Sequence, residues 1–420
     1  MQLHMYEYVI LGGGVVAGYA AQEFVEQGIE PGQLAIISAD DMLPYERPPL
    51  SKGYLARETS TADILINDPE FYVQHQIQVL LNTRVIRVDL AEKRLFTDTD
   101  ETVQFGKLLI ATGSRVRKLD LPGANLAGIH YLRFDDQARR IALAMQQAEH
   151  VVVIGGGYIG MEVASVLAQN GIQVTMVFPE KRLMERFFTS RMSEFFQTYF
   201  EQRGVTFIPE AQPVAFIGNE QPEQGQVARV RLNTTQEIPA DFVVAGIGVT
   251  PATELFEDTG LHIDDGIVVN KYLETNRDGI FAAGDVANFY DIIIQKRRRV
   301  EHWDNAVQQA RHAARMMMLP RRKQPEEFMY LRYFFSDVFD LAYEFWGDTD
   351  MADEIIHRGD VDGGSFSVWW LAAQRVDAVF VMNQPAEERE LAQEWVRARR
   401  RVRLEQLQDS NVPLSSLVTV

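Results

Sequence analysis

The chain contains no cysteine, and that absence removes whole classes of chemistry. There is no thiolate nucleophile, no redox dithiol, no cysteine-held zinc and no cysteine-held iron–sulfur cluster. The lack of disulfides is compatible with a reducing cytosol. The eight histidines are scattered without ligand spacing, so no metal site is expected. No apolar run is long enough to span a bilayer. The opening MQLHMYEYVI leads straight into a motif and leaves no room for a targeting segment. A soluble, cytoplasmic protein is the expectation. Positive charge is also scarce: 41 Lys and Arg stand against 59 Asp and Glu, a net charge of -18. Phosphate would be repelled at long range, which argues against nucleic-acid binding.

What is present reads as globular. Of the 420 residues, 46% are hydrophobic and 24% charged, and that length suits two or three domains. Three basic clusters interrupt the acidity: Lys296–Arg299, Arg321–Lys323 and Arg397–Arg403. They read either as salt-bridged faces and helix ends or as a docking patch for an acidic electron-transfer partner. Strand and helix alternate through most of the chain. A strand over Tyr6–Leu11 precedes glycines and an Ala-rich helix to about Gln27, and Gln33–Ser38 is a second strand. Leu108–Ala111 is another. The pattern restarts with strand His150–Ile154, glycines, a helix to about Asn170 and strand Gln173–Phe178. Phe242–Ala245 and Gly279–Ala283 are later apolar strands. Beyond Gln324, alternating aromatic segments and a charged helix over Ala386–Arg401 suggest an α+β domain.

Two glycine-rich turns carry the chemistry. In the first, Gly12 permits a tight turn, Gly14 lets the backbone approach a pyrophosphate, and Ala17 lets the helix pack on the sheet. The diphosphate then rests on the helix N-terminus, where N–H groups without intrahelical partners favour negative charge. Gly155, Gly157 and Gly160, with Tyr158 and Ile159 between them, repeat the arrangement. One such turn also occurs for purely structural reasons; two in matched settings point to two dinucleotides. Two dinucleotides in one enzyme usually mean a flavin relaying electrons from a nicotinamide.

Further stretches resemble the ferredoxin reductase and apoptosis-inducing factor branch of the FAD-dependent pyridine nucleotide reductases, and monodehydroascorbate reductases are similar. The segment Pro44–Lys52 resembles the family stretch whose Arg and Lys, here Arg47 and Lys52, contact the flavin. Ala111-Thr112-Gly113-Ser114 looks like the FAD-domain signature, and Ala245–Pro251, with Gly246 and Gly248, like the return crossover. Ile280–Asp285 resembles the second FAD motif, with Gly284 and the ribityl-binding Asp285. Arg299–Trp303, including Glu301, His302 and Trp303, resembles the stretch along the isoalloxazine. Phe334–Asp337 resembles the C-terminal segment that sets an aromatic near the flavin, with Phe335 where many relatives carry Trp. At the acidic position expected on the FAD ribose the chain aligns Ala39. The contact is therefore assigned to Asp40, whose other reading is an ordinary surface turn residue.

The resemblance implies roles. Tyr158 would lie near the flavin face and move aside, or stack, when nicotinamide enters; the alternative is a surface aromatic after a turn. Glu162, placed on the first turn of the second helix, would pair with Lys52 at the flavin N5 edge and orient the nicotinamide amide. Lys52 would stabilise negative charge on reduced flavin. Glu180, twenty residues past Gly160, can accept from the NAD ribose 2′-OH. That favours NADH over NADPH, while Lys181, Arg182 and Arg186 are neighbours able to neutralise a 2′-phosphate.

The expected fold is therefore α/β, with two Rossmann-like dinucleotide-binding domains and a C-terminal α+β domain. The FAD domain spans 1–116 and 247–326, the NAD(H) domain 117–246, and the last domain 327–420. The expected activity is FAD-dependent NAD(P)H oxidation that delivers electrons to an acidic ferredoxin carrying a two-iron, two-sulfur cluster. The alternatives are reduction of a small quinone or organic radical, or a slowly turning over, NADH-responsive flavoprotein whose homodimer equilibrium follows its redox state.

Overall fold

The computed structural model describes residues 2–219, 225–320 and 322–417. The chain divides into two compact units: the residues up to Pro48 with Ser60–Arg115 and Val249–Tyr330, and Pro49–Thr59 with Val116–Gly248 and everything described from Leu331 on. The fold is α/β, with two Rossmann-like parallel sheets and a C-terminal antiparallel sheet carrying helices.

In the first unit the parallel strands run in the order Gln78–Leu80, Leu34–Ile37, Gln2–Leu11 and Glu101–Ile110, and Ile280–Ala282 also pairs with the last. Their ends are short apolar runs such as Leu34–Ile37 and Leu108–Ile110, buried as expected for strands covered on both faces. The strands ending at Leu11 and Ile110 begin earlier than their apolar runs suggest. Residues 2–6 pair in register with 101–105 although the side chains of 3–6 alternate in exposure, so partner backbone extends the ladder. Helix Val15–Glu26 packs on helix Trp303–Met318 through fully buried small residues. Ala17, Ala20 and Ala21 on one helix and Ala310, Ala313 and Ala314 on the other are all fully buried, and such small side chains allow close helix packing.

The second unit has its own parallel sheet, in the order Val205–Ile208, Gln173–Val177, His150–Ile154, Phe242–Ala245 and Ile129–His130. Beside it, the chain from Tyr333 forms an antiparallel sheet in the order Tyr333–Val338, Leu341–Gly347, Arg375–Met382, Ser365–Ala372 and Glu354–Asp360. Helix Ala386–Ala398 covers that sheet and sets Trp395 against Trp369, ring centroids 5.5 Å apart. It stops three residues short of the expected Arg401. Arg399 turns left-handed at φ +45°, its guanidinium is held by Asp377 at 2.7 Å, and the next residues pair with the 374–376 backbone instead.

The excursion Pro49–Thr59 is anchored within this second unit. Leu55 is buried in its core, the Tyr54 hydroxyl donates to the buried carboxylate of Asp135, and Arg57 donates to the Ala142 carbonyl at 2.9 Å. Among the described residues no helix is long and apolar enough to cross a membrane.

Candidate functional site

Strand register gathers the sequence motifs. In the first unit Leu11, Ile110 and Ala282 lie level on three neighbouring parallel strands, so Gly12–Gly14, Thr112–Gly113 and Gly284–Asp285 follow at one sheet edge. In the second, Val177, Ile154 and Ala245 are level, bringing Gly155–Gly157, the 178–180 segment and Gly246 to the corresponding edge. Both edges are carboxyl ends at the strand where sheet order reverses, the place where doubly wound folds bind ligands.

The two turns share a geometry that only glycine supplies. Gly12 sits at φ +125° and a Cβ there would fall 2.2 Å from the Ala111 carbonyl oxygen; Gly155 sits at φ +111° and would meet Gly246 O at the same distance. Gly14 and Gly157 are extended N-cap residues without a side-chain cap. A Cβ at Gly157 would touch nothing, and one at Gly14 only Arg47, at 3.7 Å. Each helix thus starts with uncapped amide donors facing open space, and Arg47 adds positive charge at the first. Two diphosphates fit these cradles.

Around the first turn, Ser114 donates to Asp285 at 2.7 Å, Thr112 to the Ala252 carbonyl at 2.9 Å, and the Gly284 amide to Gln309 at 2.8 Å. Trp303 opens its helix with His302 as the N-cap, and its indole N–H donates to Glu46, which also accepts from Tyr19 at 2.6 Å. Glu301 pairs with Arg299. Asp40 is half-buried, accepts from Tyr45 at 3.2 Å, and has its carboxyl raised above the usual range by burial, against the pull of Arg47.

In the second unit Lys52 and Glu162 form an ion pair at 2.7 Å with Glu162 buried, and Lys52 also lies 5.5 Å from the centre of the Phe335 ring. Glu162 is the fifth residue of helix Tyr158–Gln169 and so belongs to its second turn. The expectation of direct stabilisation by the helix N-terminus is corrected: side-chain donors hold this carboxylate. Tyr158 is half-buried and edge-on to Phe334 at 4.9 Å, which excludes the plain surface-aromatic reading. Burial pushes its hydroxyl well above the ordinary phenol range.

Glu180 follows the strand ending at Val177 and is half-buried. Of its basic neighbours, Arg182 is committed elsewhere, donating to Ser193 at 2.8 Å and to the carbonyls of Phe188 and Glu185. Arg186 is exposed, as is Lys181. Ile159 is exposed, Gly160 packs a potential Cβ site 2.2 Å from Gly155 O, and Gly248 sits at φ +93°.

The docking reading fails for most of the cluster at 296–299. Arg297 donates to the Val269 carbonyl, Arg298 is paired with buried Asp291, and Arg299 with Asp265 and Glu301. In the last cluster Arg399 and Arg400 are paired with Asp377 and Glu394, while Arg397, Arg401 and Arg403 are exposed. Arg322 and Lys323 are exposed, and Arg321 lies outside the described residues.

Glu46, Tyr19, Ser51, Ser336 and the Tyr54–Asp135 pair went unassigned in the sequence. Glu46 and Ser51 stand inside the Pro44–Lys52 segment, which was the available signal. Asp135 and Tyr19 carried none.

A family model described as pyridine nucleotide-disulphide oxidoreductase matches residues 6–310, and one described as reductase C-terminal matches 333–418. Monodehydroascorbate reductase 4, peroxisomal, of Arabidopsis thaliana is 39% identical over 399 residues, covering 91% of this chain and 80% of that protein. The Pisum sativum monodehydroascorbate reductase is 37% identical, covering 94% and 95%. Among solved structures, the reductase of a covalent putidaredoxin reductase–putidaredoxin complex superposes with a TM-score of 0.91 at 30% identity, covering 97% of each chain. A ferredoxin reductase from Rhodopseudomonas palustris gives 0.91 at 28%, covering 97% of this chain and 99% of that one.

Proposed function

Because the chain belongs to the pyridine nucleotide-disulphide oxidoreductase family, as an FAD-dependent NAD(P)H oxidoreductase, we propose that it oxidises NADH and passes electrons singly to a ferredoxin with a two-iron, two-sulfur cluster. The disulphide step in the family's name is closed to it, since no cysteine exists to carry that step. One observation carries the reading: two matched glycine cradles accompany a Lys52–Glu162 ion pair whose carboxylate is buried, in a chain without a thiol.

The first unit, with Gly12, Gly14, Ala17 and Arg47, would hold the FAD diphosphate; Asp40 would take the ribose, and Thr112, Gly113, Gly284, Asp285 and the Glu301–Trp303 stretch the rest. FAD, when bound, supplies acceptance of a hydride and release of single electrons. Residues 117–246 would hold the nicotinamide nucleotide through Gly155, Gly157 and Gly160, with Glu180 accepting from the ribose 2′-OH. Glu162 holds the Lys52 ammonium and would accept from the nicotinamide carboxamide. Lys52 would favour the negative charge of the reduced state. Tyr158 and Phe335 would exclude water from the rings.

The ferredoxin reading is supported by the two reductase structures similar along nearly the whole chain. A second reading, one-electron reduction of a small organic radical, is favoured by the higher identity to proteins named monodehydroascorbate reductases. Anaerobic mixing of the holoenzyme with NADH should bleach the flavin spectrum. Reoxidation should then be fast with a two-iron, two-sulfur ferredoxin and slow with monodehydroascorbate radical. The reverse order selects the second reading, and a flavin left oxidised by both NADH and NADPH defeats both.

A further inference from the structure

The buried carboxylate of Glu162 has more donors than a Lys–Glu pair requires. Its Oε1 accepts from Lys52 Nζ at 2.7 Å and from Ser336 Oγ at 2.5 Å, and its Oε2 accepts from Ser51 Oγ. All three polar residues are nearly sealed from solvent: Ser336 is 1% exposed, Ser51 2% and Glu162 5%. A carboxylate offers about four acceptor positions, two on each oxygen. Among the described residues, Oε1 is therefore saturated and the remaining position is on Oε2.

The same helix is gripped a second time. The Phe339 amide donates to Ser165 Oγ at 2.6 Å. Glu162 and Ser165 lie three residues apart on one helix face, and Ser336 and Phe339 are three apart at the hairpin that meets it. The C-terminal strand is thereby held in register on the helix, and the Glu162 rotamer is set by two hydroxyls as well as by Lys52.

We propose that Ser336, aided by Ser51, is a positioning residue: it fills Oε1 so that Glu162 presents its last acceptor position, on Oε2, to the ligand. The site then selects a pyridine ring bearing an N–H donor. A carboxamide donates to Oε2; an acetyl group has no hydrogen to give, and a carboxylate sets anion against anion. This rests on the reading in which nicotinamide meets Glu162. Without the Ser336 hydroxyl an Oε1 position falls empty, the carboxylate can turn, and the preorganised preference is lost.

Binding of NAD⁺, its 3-acetylpyridine analogue and its nicotinic acid analogue to the oxidised holoenzyme, measured by calorimetry, tests this. The wild type should prefer NAD⁺ to each analogue by about tenfold or more, the scale of a lost hydrogen bond to a charged group. Ser336→Ala should narrow those ratios several-fold, and Ser336→Thr, which keeps the hydroxyl, should restore them. Parallel weakening of all three ligands, as a merely structural role would produce, overturns the proposal, and so does an unchanged ratio. If Ser336→Ala does not retain FAD, Ser51→Ala reads the same ratios with the same two outcomes. A wild-type flavin that NADH cannot reduce would sink the proposed function; normal reduction with ratios insensitive to these serines sinks this inference alone.

Discussion

Arg182 and Arg186 are four residues apart beside Glu180, and the fold treats them differently. Arg182 is consumed by the segment that follows it, where it satisfies the carbonyls of Glu185 and Phe188 and the Ser193 hydroxyl on the next helix, while Arg186 reaches solvent. If the NAD ribose binds at Glu180 as proposed, the choice between NADH and NADPH would set the Glu180 carboxylate against the exposed Arg186 and Lys181. Glu180→Ala should narrow the preference for NADH over NADPH by about tenfold, equivalent to roughly 1.4 kcal/mol. The check is the ratio of kcat/KM for the two nucleotides. Arg182→Ala should leave that ratio alone and lower Tm instead, because what it removes is loop structure.

Among elements, the segment after helix Ala386–Ala398 shows how a short tail can be held without a large core of its own. Arg358, buried on strand Glu354–Asp360, donates to the carbonyls of Leu407 at 3.1 Å, Asp409 at 2.6 Å and Val412 at 2.7 Å. Three backbone acceptors from one segment share one guanidinium, whose planar fork suits the task. Arg358→Met keeps the apolar stem but leaves those carbonyls unpaired, at about 1–3 kcal/mol for each that stays buried. Hydrogen exchange over 404–417 should accelerate and limited proteolysis should begin there, while the parallel sheets remain protected. Unchanged protection of the tail would show that Leu407, Leu414 and Leu417, buried against the sheet, hold it by themselves.

For the molecule as a whole, acid stability has an identifiable contributor. His312, on helix Trp303–Met318, is buried against Phe328, and burial, with Arg315 nearby, lowers its pKa from 6.5 to about 4. The unfolded chain takes up a proton near pH 6.5 that the folded chain refuses until about pH 4. The contribution of His312 to stability is therefore complete above 6.5 and drains as pH falls through that window, by about 3 kcal/mol. His312→Leu removes the titration, so its Tm should change less between pH 6.5 and 4 than that of the wild type. An equally steep profile would place the acid sensitivity in other groups.

The local code was legible where a residue's role depends on its immediate neighbours. Gly12 and Gly155 must be glycine because φ is positive and neighbouring backbone fills the space of a Cβ, and strand–glycine–helix order announces that in sequence. The apolar runs Leu34–Ile37 and Phe242–Ala245 are buried by both faces of a sheet and read as strands for the same reason. Absence of cysteine settled what chemistry the chain cannot do. Tertiary structure decided whatever depends on partners distant in sequence. Ser336 stands 174 residues from Glu162 and Glu46 stands 257 from Trp303, and no periodicity predicts those hydrogen bonds. The basic run at 296–299 left salt-bridged and docking readings open because sequence counts charges without showing their partners; Asp291 meets Arg298 across a short hairpin, and Asp265, 34 residues from Arg299, reaches it only through the folded chain. Composition and spacing determine which groups are available and how the backbone turns locally, whereas long-range packing decides which of those groups are spent on structure and which remain for a ligand.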